Sequence, residues 1–181
     1  MEAGEEETAP VRDMGFGPAG RALLRVTKAV AITGGLIFVA LVAMEIVSIV
    51  GRKLFSAPVP GDVEILQMCA AFASATFFAY CHLIGGDVKV DFFTRDVRPG
   101  RVALLDAFGS LLVGIFGALL AWRTAAGAAV LKEVGETSAI LGWPVWLAQG
   151  LMVPGFVLLA LAGFYLAGHR LRIALMARER A

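Results

Sequence analysis

Four runs of apolar residues, separated by short stretches where charge, glycine and proline collect, fill most of the chain: Ala29–Val50, Val63–Ile84, Val102–Trp122 and Pro144–Gly168. At a rise of roughly 1.5 Å per residue, each run makes a helix of about 30 Å or somewhat more, the thickness of a hydrocarbon core. A helix satisfies its own backbone N–H and C=O groups, which lipid cannot do. The pattern therefore predicts an all-α, integral membrane four-helix unit, one domain spanning residues 23–170. Residues 1–22 are polar and acidic and read as a flexible cytoplasmic tail; residues 171–181 read as a basic cytoplasmic tail. The opening Met1-Glu2-Ala3-Gly4-Glu5-Glu6-Glu7 is the opposite of the basic start of a cleaved signal peptide, so the first span is expected to be retained.

Composition narrows the class. With 59% hydrophobic residues, 17% charged residues and a mean hydropathy of +0.79, a chain of 181 residues cannot bury four such runs in a water-soluble fold. The net charge of +1 gives no reason to expect a nucleic-acid partner; the position of the charges is more informative. Placing both termini in the cytoplasm leaves only Arg52, Lys53, Arg123 and Lys132 outside, and twelve of the 16 basic residues inside, the bias that sets membrane orientation. Trp122, Trp143 and Trp146 then fall at the outer ends of spans three and four, where indole rings favour the interface. Cys69 and Cys81 share span two at roughly 18 Å along the helix axis, too far to bridge.

Inside the spans, Ala71, Ala75 and Ala79 and then Ser110, Gly114 and Ala118 repeat at every fourth position, a spacing that allows close helix approach in lipid. Pro154, followed by Gly155, removes a backbone donor from span four and is expected to bend it. Glu45 is the acidic residue of span one, about one turn short of the outer boundary, where an unpaired carboxylate is costly. With Glu64, Gln67 and Arg123 at the same level it forms a candidate structural polar cluster, the alternative being an ion- or proton-coupling carboxylate. Asp106 is expected at the inner end of span three. His82 and His169 lie at similar depth near the inner ends of spans two and four, the arrangement a bis-imidazole haem site needs, although interfacial histidines without a ligand would look the same. No phosphate-cradling loop, nucleophile elbow, acid–base pair or metal spacing is present, so neither an enzyme nor a cofactor is expected.

After span two, Ile84-Gly85-Gly86-Asp87-Val88-Lys89-Val90-Asp91-Phe92-Phe93 alternates apolar with charged residues behind two glycines. That stretch carries a resemblance. Gly86-Asp87-Val88-Lys89-Val90-Asp91 is similar to the Gly-His-(Ile/Val)-x-Val-Asp signature of the small membrane subunit of TRAP (tripartite ATP-independent periplasmic) transporters, with Asp87 at the usual histidine position. Pro60-Gly61-Asp62-Val63-Glu64 matches the family's Pro-Gly-x-x-Glu entry to span two. Arg52-Lys53-Leu54-Phe55 is like its exit from span one. Glu136-Thr137-Ser138, Leu141-Gly142-Trp143-Pro144 and Val153-Pro154-Gly155 resemble its approach to span four and its kink. The resemblance covers roughly residues 25–170.

It implies a bacterial inner-membrane protein that works with a large permease subunit and a periplasmic substrate-binding protein. The large subunit would carry the ion-coupled movement, while this chain scaffolds it, helps to dock the binding protein and meets membrane lipids, with no small-molecule site of its own. Organic acids would be the cargo class. Arg52, Lys53, Pro58, Pro60, Lys132, Glu133 and Glu136 are the candidate docking residues on the outer face; Gly86, Asp87 and Asp91 form the motif loop on the inner face. Two other classes remain open at this stage: a haem-carrying anchor of an oxidoreductase, using His82 and His169, and a small proton-coupled multidrug exporter, using Glu45.

Overall fold

The computed structural model describes residues 15–87 and 99–179. It is all-helical, with α1 at Pro18–Phe55, α2 at Asp62–Leu83, α3 at Pro99–Val134 and α4 at Val145–Glu179. All four are long and apolar enough to cross a membrane. α1, α3 and α4 are much longer than the apolar runs that announced them. The run measures the lipid thickness, whereas the helix continues wherever good helix formers follow. Thus α1 begins at Pro18, whose missing N–H costs nothing at a first helical position, and passes through Arg21, Arg25 and Lys28 before entering the run.

Its other end is set by Ser56, which adopts a left-handed conformation (φ 54°), while the Ala57 N–H closes on the Gly51 carbonyl at 3.2 Å. α2 starts immediately after Gly61 (φ 73°). A side chain there would be strained by the backbone and would also strike Leu141, whose Cγ lies 2.6 Å from the position of an added Cβ.

The helices are arranged as an open row, α1–α2–α4–α3. α1 packs on α2, α2 on α4, and α4 on α3; α1 touches α4 slightly, and among the described residues α1 and α3 do not meet. Two small clusters, rather than one central core, hold the row. Ala79, Leu83, Leu159, Ala162 and Leu166 pack where α2 meets α4, joined by Phe16 and Leu24 of the first segment. Ala75, Phe156 and Ala121 link α2, α4 and α3.

Where α4 meets α3 and α2, several close approaches are made by backbone. A Cβ on Gly163 would lie 2.4 Å from the Gly114 nitrogen, one on Gly117 would lie 2.8 Å from the Ala160 nitrogen, and one on Gly155 would lie 2.6 Å from the Ala75 carbonyl oxygen. Ala75 and Ala79 are buried in contact with α4, as their spacing suggested. In α3 the buried small positions are Ala107, Ser110, Gly114, Gly117, Ala121 and Ala128, and Ala118 is exposed. A strict spacing of four drifts around a helix of 3.6 residues per turn; alternating steps of three and four keep facing the neighbour. α4 runs unbroken through Pro154.

With only neighbours in a row, each helix keeps a broad uncovered apolar face. Leu36, Val39 and Val42 of α1 and Leu112, Ile115 and Phe116 of α3 are half or more exposed. In water such a surface would aggregate; against lipid or a membrane partner it costs nothing.

Candidate functional site

We call the end of the row that carries the 56–61 and 135–144 connectors the upper end. Its organising element is the first turn of α2, where two carboxylates each pin one connector. Asp62, only 7% exposed, closes the first. Its Oδ2 accepts hydrogen bonds from the Ser48 hydroxyl and from Arg52 Nη2 (2.8 Å), and its Oδ1 accepts the Val63 N–H (2.8 Å). Ser48, fully buried, also accepts the Val59 N–H at 3.3 Å. The carboxylate sits at the positive end of α2, where a negative charge is favoured, and the guanidinium, 57% exposed, stays in contact with water.

Glu64 closes the second connector. Its two oxygens accept the Ile140 N–H at 2.8 Å and the Leu141 N–H at 3.0 Å. These are charge-assisted bonds to backbone donors, which are shorter and stronger than neutral ones. The connector they hold is itself knitted. Ser138 N–H donates to the Trp143 carbonyl (2.8 Å), Trp143 N–H donates to the Ser138 hydroxyl (3.1 Å), and Val145 N–H donates to the Glu136 carbonyl (3.1 Å). Lys132 lies 5.1 Å over the Trp146 ring, joining the end of α3 to the start of α4.

The docking candidates all lie at this end, spread from the end of α1 to the end of α3. Arg52, Lys53, Pro58, Pro60, Lys132, Glu133 and Glu136 are all exposed, and Arg52 is also part of the Asp62 network. The four residues of the expected polar cluster do not share one network. Glu64 is committed to the 135–144 connector. Gln67 is exposed and, with Glu64 and Glu136, lines a groove of about 500 Å³ between α2 and that connector. Arg123 is exposed on α3, at the far edge of the row from α1. Glu45 is half-buried on α1, and one of its oxygens is enclosed with no hydrogen-bond partner among the described residues.

Sequence reasoning passed over Asp62 and Ser48 as site residues. The available signal was an Arg four residues after a Ser on one helix, followed across a proline-containing connector by an Asp at a helix start.

At the lower end, Gly85 (φ 71°) terminates α2 and the Gly86 N–H returns to the Cys81 carbonyl at 2.9 Å. Asp87 turns back onto Nδ1 of His82. His82 is 4% exposed, and its Nε2 has no partner among the described residues. Asp91 lies outside the described residues. His169 is held differently, edge-on to Phe16 at 5.4 Å and stacked with Tyr165. Arg170 ties α4 to α3 by donating to the Ser110 hydroxyl (2.7 Å) and the Asp106 carbonyl (3.3 Å). Among the described residues, Asp87, His169 and Arg170 each make a contact that fastens a helix end.

A protein-family model described as "Tripartite ATP-independent periplasmic transporters, DctQ component" matches residues 41–172. The match takes in the upper part of α1, both connectors just described and most of α4. No curated protein and no solved structure gives a significant match.

Proposed function

The chain belongs to the DctQ component family of the tripartite ATP-independent periplasmic transporters, and from that premise we propose that it is the fixed scaffold of such a transporter. As a family member it is a multi-pass inner-membrane transport component. The proposed role is to brace a large ion-coupled permease subunit and to help seat a periplasmic substrate-binding protein during uptake of organic acids. The observation that carries this reading is the open row of helices. A self-sufficient carrier encloses a polar path between its helices. Here the helices are fastened by glycine and alanine contacts, and long apolar faces are left for a neighbour in the membrane.

In this reading both termini are cytoplasmic and the upper end faces outward, which follows from the distribution of Lys and Arg. The exposed Lys53, Lys132, Glu133 and Glu136 then offer charge to the binding protein, on connectors held rigid by Asp62 and Glu64. A rigid platform lowers the ordering cost of docking. The lower end would hold the Gly86–Asp87 turn in the cytoplasm, where it fastens the end of α2 rather than touching cargo.

The test is affinity purification of this chain from its native membranes in mild detergent. A large polytopic subunit recovered at one-to-one stoichiometry supports the proposal; a chain recovered only with itself sinks it. Charge reversal at Lys53, Lys132, Glu133 and Glu136 together should abolish stimulation of uptake by the binding protein while leaving the membrane complex intact. Unchanged uptake would remove the docking role from this face.

A further inference from the structure

We propose that the lower half of α4 floors a binding site for a single anionic phospholipid. Two clefts meet there. One, of about 570 Å³, lies between α4 and the residues that open α1, and is lined on its α4 side by Tyr165, His169 and Arg172. The other, of about 610 Å³, lies between α4 and α3; its walls include Leu104, Phe108, Leu111 and Leu171. Both clefts are bordered by Phe164 and Gly168, one turn apart on α4, so they adjoin, and we read them as one trough with a polar end and an apolar end. Each volume falls within the roughly 300–1,000 Å³ usual for ligand clefts.

The chemistry of the two ends differs in the way a phospholipid does. The polar end presents a guanidinium, an imidazole and a phenol, all able to donate hydrogen bonds, and among the described residues no acidic one lines it. Among the described residues no carboxylate pairs with Arg172. The apolar end has only hydrocarbon and aromatic side chains and glycine on its walls. The depth fits as well. The apolar run of the fourth span ends at Gly168, so Arg172 stands at headgroup level while Phe108, Leu111 and Phe164, further from that end, lie among acyl chains. Basic pockets between transmembrane helices at this level suit anionic headgroups. A protein helix would fill the apolar end equally well, but it would leave the donors of the polar end without an acceptor unless it also carried an acidic group at that depth.

Gly168 makes the site testable without disturbing the fold, because a Cβ built there meets nothing within 4 Å. A leucine at 168 would occupy the floor of the trough where the two clefts join. The experiment is native mass spectrometry of the full chain, in complex with its large subunit, titrated with phosphatidylglycerol or with phosphatidylcholine. One phosphatidylglycerol per chain should bind above the statistical background, with phosphatidylcholine at least tenfold weaker. Arg172→Glu and Gly168→Leu should each weaken the phosphatidylglycerol adduct tenfold or more with the helical content unchanged. Gly150→Leu, at another open position of α4, should leave it as in the parent. Equal binding by all variants, or no preference for the anionic lipid, overturns the proposal. So does a photo-crosslinking residue at position 171 that captures the large subunit instead of lipid.

Discussion

Substituting Gly163→Ala adds one methyl group where the backbones of α3 and α4 come closest. Its Cβ would stand 2.4 Å from the Gly114 nitrogen, 2.5 Å from the Gly114 Cα and 2.9 Å from the Ser110 carbonyl oxygen. All three are backbone atoms, so no rotamer change relieves the clash. Restoring ordinary contact of about 3.5 Å requires α3 to retreat by about 1 Å, a gap that already forfeits a quarter to a half of each nearby dispersion well. Because α3 packs chiefly on α4, little else resists the movement, and the Arg170–Ser110 bond at 2.7 Å lengthens with it.

Overpacking of this kind costs about 1–3 kcal/mol, from which the helix preference of Ala over Gly recovers about 0.5–1 kcal/mol. The net expectation is a loss of up to about 2.5 kcal/mol, centred near 1, or a melting point lower by up to roughly 10 °C for a chain of this length. The assay is thermal unfolding of the purified complex in detergent, read by tryptophan fluorescence, with Gly109→Ala on α3 and Gly150→Ala on α4 as controls. Neither control meets any atom within 4 Å, so each should match or slightly exceed the parent. A Gly163→Ala protein as stable as these controls would refute the close approach and the row built on it.

Three further outcomes follow from the upper and lower ends. Asp62→Asn removes the charge that gathers Ser48, Arg52 and Val63, so the 56–61 connector should become cleavable by protease in intact membranes, whereas Ser48→Ala, which leaves the Arg52 pair, should open it less. Glu64→Gln can accept only one of the two N–H bonds from Ile140 and Leu141. Amide exchange at those two residues should rise at least tenfold, and protection equal to the parent would show that the carboxylate does not hold the connector. Glu45→Gln should leave assembly and uptake within about twofold of the parent, since among the described residues the enclosed oxygen is not part of a network. Loss of ion-driven uptake with assembly intact would instead make Glu45 a coupling group.

Much of this protein is determined by local sequence. The four spans follow from apolar run length, because lipid thickness sets a minimum that a helix must meet. The starts of α1 and α2 lie at Pro18 and just after Gly61, residues whose backbone preferences act within a few positions. The ordered motifs from Arg52 to Gly155 were enough to suggest the family that the 41–172 match then showed.

What the sequence did not disclose is everything that depends on which helix lies beside which. Lipid solvates all sides of a helix alike, so the faces of α3 and α4 carry almost no amphipathic bias to mark inside from outside. Hence Ala118 and Gly117 were equally eligible for the α4 contact, and only packing chose Gly117. The row order separated Glu45 from Arg123, although their depths had suggested a shared cluster. Glu64 found its partners 76 and 77 residues away, in a connector whose backbone donors have no signature in sequence. In water the burial of apolar surface would have announced such choices as a pattern. In a membrane they are made by backbone fit and by a few polar anchors, and both exist only once the helices have met.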